Sequence, residues 1–211
     1  INNKSILVEG IKNIDQVDIN NANNLGYKIK LIGVAECEKN KITQRVHPAL
    51  IKKDSYIAKI DGVLNAVIVE SSPVGQTVLQ GEGAGPGPTT SSLISDLCSI
   101  LRGNIKFPFV LSDKKRKFGV FENILNKNIS AYIRLDVKDK HGILSDVTNV
   151  LSQNKISVKR LIQNPTANKK YASIVIVTHD AKGSSFSKAL LVLKKKNYLV
   201  NAPKIIRIEK I

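Results

Sequence analysis

The sequence predicts an α+β protein in two parts, residues 1–129 and residues 130–211. Three observations carry this prediction. From Ser130 onward, strand-like and helix-like stretches follow in the order βαββαβ. Before it, several half-buried strand patterns precede one well-marked helix. The ten residues "GEGAGPGPTT", Gly81 to Thr90, join a strand to that helix through four glycines and two prolines. With 211 residues the chain can bury a core in one large or two small domains.

The first element is helical. In "NIDQVDINNANNLG", Asp15 or Asp18 caps a helix whose Ile19 and Ala22 face inward and which stops at Gly26. "YKIKLIGVA" then reads as a half-buried strand, with Ile29, Leu31 and Val34 alternating with Lys and Gly. "KITQRVHPALI" follows, and the two halves of "SYIAKIDGVLNAVIVES" flank Asp61-Gly62, a dipeptide suited to a tight hairpin turn. "QTVLQ" is a short strand running into the glycine loop. After the loop, "TTSSLISDLCSILRG" spaces Leu93, Ile94, Leu97, Cys98 and Leu101 as a helix, with Thr or Ser as N-cap and Gly103 as the stop. Residues 104–129, with Pro108 and the basic run Lys114 to Lys117, read as a linker or peripheral segment.

In the second part, "AYIRLDV", "ISVKRLIQ", "YASIVIVTH" and "KIIRIEKI" are strands; "GILSDVTNVLSQN" and "SFSKALLVLKKKN" are helices. A split βαβ arrangement of this order gives a four-stranded antiparallel sheet with both helices on one face.

Composition excludes several classes. The longest apolar stretches, such as Ile174 to Val177, are too short to span a bilayer, and no signal sequence opens the chain, so a cytoplasmic protein with no membrane partner is expected. Cys37 and Cys98 form no CxxC and sit among apolar neighbours, which points to buried free thiols; with no His/Cys cluster at ligand spacing, no metal site is expected. The formal charge of +16 invites a nucleic-acid partner, but the excess is scattered lysine mixed with Asn and Ile, as AT-rich codons supply, and the basic run lacks interleaved aromatics. No nucleic acid is therefore expected to bind. The absence of Met and the opening Ile suggest that the chain does not begin where its gene does.

The glycine loop fails both phosphate-binding fingerprints. From Gly81 the third glycine of GxGxxG falls on Pro86, from Gly83 it falls on Pro88, and no GK[ST] follows. What remains is a backbone almost free of side chains at a helix start, which either lets a ligand come close to free N–H groups or only turns a corner. "DKHG", Asp139 to Gly142, lies between a strand and a helix, where backbone groups either receive a small carboxylate or close an ordinary turn. His47, in "RVHPALI", is either a structural histidine or an aid to proton transfer. Spacing alone assigns no chemistry to His141 or His179.

Taken in order, "GYKIKLIGVAE", "RVHPALI", "IDGVLNAVIVES", "VGQTVLQGEGAGPGPTTSSLISDL" and "DKHGILSDVTNVLSQNKISVKRLIQ" resemble bacterial homoserine dehydrogenases that carry a C-terminal ACT domain. The resemblance implies a mixed-sheet catalytic and dimerisation region over 1–129, followed by a ferredoxin-like ACT domain over 130–211. It implies an oxidoreductase that passes hydride between NAD or NADP and the pair L-homoserine and L-aspartate 4-semialdehyde, on the route to threonine, methionine and isoleucine. In that family the glycine loop approaches the nicotinamide end of the cofactor, so Gly81, Gly83 and Gly85 map to cofactor binding, with Gly83 foremost. His47 matches the HP position, to which a supporting catalytic part falls. The ACT loop Asp139, His141, Gly142, Ile143 and Leu144 would bind an amino-acid effector, typically threonine, beside a neighbouring ACT unit of a homo-oligomer. The family's Rossmann domain, with the Asp and Lys that hold and protonate substrate, is expected upstream, and the part in hand is expected to turn over poorly by itself. The rival reading is a stand-alone amino-acid-binding ACT regulator without catalysis.

Overall fold

The computed structural model describes residues 6–104, 119–165 and 170–211. Pro108 and the basic run Lys114 to Lys117 lie outside them. The chain falls into two compact units: one runs to Lys53 and resumes at Gly119, the other begins at Asp54.

The first unit opens with β1 (Leu7–Val8), a 3-10 turn and α1 (Gln16–Asn24). Asp15 is the N-cap, and the Asp18 carboxylate accepts its N–H at 3.2 Å. Gly26, at φ 84°, ends the helix as expected. β2 (Tyr27–Glu38) and β3 (Lys41–Lys52) form a long antiparallel hairpin in unbroken register, from Tyr27 opposite Lys52 to Glu38 opposite Lys41. Its two-residue turn is Lys39-Asn40, both at positive φ (47° and 67°), the left-handed pair that matches strand twist.

The second unit contains the hairpin of β4 (Leu64–Ser71) and β5 (Gly75–Glu82), a two-stranded sheet of its own, and then α2 (Pro86–Leu101). Its turn lies at Ser72–Val74, so the expectation of a hairpin at Asp61-Gly62 is corrected. Gly62 does adopt positive φ (66°), but it joins a 3-10 turn over Ile57–Lys59 to β4. The helix begins earlier than expected, at Pro86 with Gly85 as N-cap, because proline is favoured in a first helical turn where its missing N–H costs nothing.

Back in the first unit come β6 (Val120–Phe121), β7 (Asn128–Lys138), α3 (Ile143–Gln153), β8 (Val158–Pro165), β9 (Tyr171–Thr178), β10 (Ala181–Lys182), α4 (Gly183–Leu193) and β11 (Lys204–Glu209). Strands β11, β7, β9 and β8 pair antiparallel in that order. This is the expected βαββαβ unit. Alternation along β7 divides its side chains between two faces. Ile133, Leu135 and Val137 join Val147, Leu151, Phe186 and Leu193 of α3 and α4 in the larger core. Tyr132 points the other way and packs with Leu50, Val175, Ile206 and Ala22 of α1 in a smaller one.

The sheet continues past the boundary expected at residues 129 and 130. β11 pairs in parallel with β3, Arg207 opposite Ala49 and Glu209 opposite Ile51, giving one mixed sheet, nine-stranded among the described residues, that includes β2 and β3. The N-terminal and C-terminal parts of the chain thus share a backbone hydrogen-bond ladder.

Three burial expectations are corrected. Ile19 is 43% exposed, because the inward stripe of α1 is Asp18, Ala22 and Leu25. Leu31 is 55% exposed, while Ile32, on the opposite face of β2, is buried beside His47. Cys37 is exposed and Cys98 half-buried, so neither thiol is a core residue.

Candidate functional site

The glycine loop is built by the β4–β5 hairpin. Asn65 lies opposite Gly81 and Leu64 opposite Glu82, and the Gly83 N–H reaches the Val63 carbonyl at 3.4 Å. Gly85 sits at φ 114°, ψ 160°, a region open in practice only to glycine. Its carbonyl accepts both the N–H (3.3 Å) and the hydroxyl (2.8 Å) of Thr89, which ties off the first turn of α2. The three expected glycines therefore differ in kind. A Cβ at Gly83 would overlap the Asn65 amide, one at Gly85 would strain the backbone, and one at Gly81 or Gly87 meets nothing. The side-chain-poor surface is real at Gly81 and Gly87, but the space beside Gly83 is already filled. One further expectation needs correcting: Pro86 and Pro88 carry no N–H, so Gly87 is the sole donor among the first three helical residues.

His47 belongs to the other unit. It is fully buried on β3, with Nε2 3.1 Å from Glu209 Oε1 and Nδ1 3.0 Å from the Pro48 carbonyl. Both ring nitrogens face acceptors inside the sheet. Beside it, Arg45 grips Glu209 with two hydrogen bonds (2.8 and 2.7 Å) and Glu36 with one (3.0 Å), and Lys127 adds a contact to Glu36 at 2.6 Å. The Arg45 hydrogen bond pulls the Glu36 carboxyl down to about 2. Burial pushes Glu209 up, but hydrogen bonds from His47 and Arg45 outweigh it and hold the carboxyl low. This cluster fastens β3 to β11.

The second candidate is a cleft of about 640 Å³ at the C-terminal end of β7, lined by Val137–Leu144 together with Gln163 and Ile174. All five residues expected for effector binding line it: Asp139, His141, Gly142, Ile143 and Leu144. Gly142, at φ 83°, is the N-cap of α3 and lets the chain turn sharply from loop to helix. The Asp139 N–H donates to the Lys170 carbonyl at 2.9 Å, and the Asp146 N–H to Gly142 at 3.0 Å. The first-turn N–H groups of α3 have no acceptor within the helix. Ile143 is 8% exposed and serves the larger core as well as the cleft wall. Asp146 is bound by Lys196 and Tyr198 (2.9 and 2.8 Å), whose hydrogen bonds lower its pKa. Sequence reasoning missed Gln163 and Ile174, which face each other across β8 and β9. The signal was present, since Gln163 is the lone amide in "ISVKRLIQ".

Residues 1–98 match the family model for homoserine dehydrogenase, and residues 131–196 match that for the ACT domain. The N-terminal part is thus similar to the homoserine dehydrogenase family, and a segment similar to ACT domains follows it. The homoserine dehydrogenase of Helicobacter pylori is 36% identical over 98% of this chain and 48% of its own length. That of Neisseria gonorrhoeae is 32% identical over 99% and 49%. A crystal structure of a homoserine dehydrogenase from Thiobacillus denitrificans superposes with a TM-score of 0.86 at 29% identity, covering 98% of this chain and 48% of that one. The chain spans about half the length of the homoserine dehydrogenases it matches. Among the described residues, no helix is long and apolar enough to cross a membrane, and no three His, Cys, Asp or Glu side chains gather in a metal-holding group.

Proposed function

We propose that the chain serves as the C-terminal half of an NAD- or NADP-dependent homoserine dehydrogenase, interconverting L-homoserine and L-aspartate 4-semialdehyde. The observation that carries this is the family match through the glycine loop, joined in the right order to an ACT domain. The stand-alone ACT regulator explains residues 131–196 but leaves the match over 1–98 without a purpose.

The residues present fit a contact with one end of a nicotinamide cofactor and no more. Gly81 and Gly87 carry open space where a side chain would stand, and no dinucleotide fingerprint accompanies them. When bound, the cofactor supplies or accepts the hydride. Gly81, Gly83 and Gly85 shape the loop it approaches, and the Gly87 N–H is the donor available at the helix start. His47, enclosed by Pro48 and Glu209, holds β3 to β11 within its own unit rather than meeting substrate. At the ACT cleft an amino acid, threonine in our reading, places its carboxylate at the start of α3. The protein works in the cytoplasm as a homo-oligomer, and neither nucleic acid nor membrane takes part.

A Gly81→Val variant of the full-length enzyme tests the loop, because a Cβ at this position meets no described atom within 4 Å. The Michaelis constant for cofactor should rise at least about tenfold, as expected from losing one close contact of a few kcal/mol. Unaltered kinetics would reduce the loop to a corner.

A further inference from the structure

Three basic side chains of the ACT strands grip one segment of the homoserine dehydrogenase region. Arg207 on β11 holds Glu9 with two hydrogen bonds, Nη1 at 2.6 Å and Nη2 at 3.1 Å. Lys204 on the same strand donates to the Asn13 carbonyl at 3.0 Å and lies 3.5 Å from Asp15. Arg134 on β7 reaches Asp15 through Nη2 (2.6 Å) and Asp18 through Nε (2.7 Å). Tyr132 donates to Asp18 at 2.9 Å, and Asn21 donates in turn to the Tyr132 hydroxyl at 3.2 Å. Asp18 is 0% exposed and Arg134 5%. The start of α1 is thus anchored in the interior, and α1 packs onto β2 through Ala22, Leu25, Tyr27 and Ile29.

The third arm of Arg134 leads elsewhere. Its Nη1 donates to Asp136 at 2.6 Å, and Asp136 also receives the Ser173 hydroxyl (3.2 Å) and the Asn201 amide (3.3 Å), while its carbonyl accepts the Val200 N–H at 2.8 Å. The next residue along the strand, Val137, is the first to line the effector cleft. One guanidinium therefore touches both the strand that ends in the cleft and the helix that supports β2. Three carboxylates, Asp15, Asp18 and Asp136, surround two cations, Arg134 and Lys204, so the group carries one negative charge in excess. Asp136 is the member least needed for neutrality.

We infer that Arg134 and Asp136 are positioning residues that transmit occupancy of the cleft at Val137–Leu144 to α1 and the Glu9–Asp18 segment of the homoserine dehydrogenase region. The inference rests on the reading of that cleft as an amino-acid site. A ligand that shifts the end of β7 moves Asp136, and a guanidinium held on three sides passes the shift to α1. Coupling requires a ligand that interacts differently with two arrangements of the same element, and the Arg134 bridge ties α1 to whichever arrangement the end of β7 adopts.

The test uses the 211-residue chain, with threonine, lysine and methionine as probes in calorimetry and amide exchange followed over residues 16–24. The amino acid that binds should slow exchange in α1 by about tenfold in the wild type, within the usual range of coupling between sites. In Asp136→Asn it should bind with affinity within about threefold of wild type, yet leave α1 exchange unchanged. An equal response in both proteins, or none in the wild type at saturation, overturns the inference. If calorimetry is flat with all three, the effector reading fails and a ligand-free arm decides the coupling. Gly142→Ala, which strains the cleft turn, should alter α1 exchange alone but not in combination with Asp136→Asn. Unaltered α1 exchange in Gly142→Ala would refute the bridge whether or not any amino acid binds.

Discussion

Single residues in this chain owe their importance to what surrounds them more than to their type. Gly142 sits at φ 83° with open space where a Cβ would stand, so a Cβ there strains the backbone without a clash. Gly142→Ala should lower stability by about 1–2 kcal/mol, the usual cost of a left-handed conformation for an L-residue, read from urea denaturation. Arg45 is the opposite case. It is 4% exposed and pairs with Glu209 and Glu36 at once. Replacing it with Met leaves two carboxylates without their main partner and should cost about 3–5 kcal/mol. The pH dependence follows from Glu36, whose carboxyl lies near 2 in the fold against an ordinary 4.5. A lowered carboxylate pKa stabilises the fold fully above about pH 4.5, and that stabilisation is lost as the pH falls toward 2. The acid unfolding transition of Arg45→Met, followed by circular dichroism, should therefore begin at higher pH than that of the wild type.

Among the elements, α3 and α1 show two ways of anchoring a helix. α3 buries an apolar stripe, Ile143, Val147, Val150 and Leu151, and its place could be read from periodicity. Leu151→Ala should cost about 2–5 kcal/mol in the same denaturation assay, because the site is fully buried and the cavity cannot close completely. α1 buries only Asp18 and Ala22. Its anchoring is ionic, through Arg134, a residue over a hundred positions away. Periodicity cannot show this, which is why Ile19 was expected inside and Asp18 only as a cap. The hairpins teach a similar lesson. Asp61-Gly62 has favourable turn residues, yet the tight turn forms at Lys39-Asn40, where the strands on both sides are long and pair in unbroken register. In the second unit α2 buries none of its residues, and Leu93, Ile94, Leu97, Ile100 and Leu101 are each at least half exposed.

At the scale of the whole molecule, the parallel pairing of β11 with β3 makes the ACT strands part of a larger sheet. Residues 130–211 expressed alone would leave that edge of β11 unpaired and Arg207 and Glu209 without Glu9, Arg45 and His47. Their thermal midpoint should fall by several degrees relative to the complete chain, since about 1–2 kcal/mol already shifts a domain of this size that far. An unchanged midpoint would mean that the shared ladder adds no stability. The same pairing gives the cleft and the homoserine dehydrogenase strands a common scaffold, on which the Arg134 bridge acts.

Sequence by itself determined the βαββαβ order, the helix stops at Gly26 and Gly103, the side-chain-poor loop and the glycine turn that opens α3 at Gly142. These depend on local periods and on conformations that glycine alone accepts, so neighbours along the chain are enough to specify them. Only the tertiary structure decided that Asn65 occupies the space beside Gly83, that His47 is enclosed by Glu209, and that β11 completes the sheet begun by β3. Each of these joins residues distant in sequence, and the energy of burying charge or pairing an edge strand depends on which distant group arrives to satisfy it.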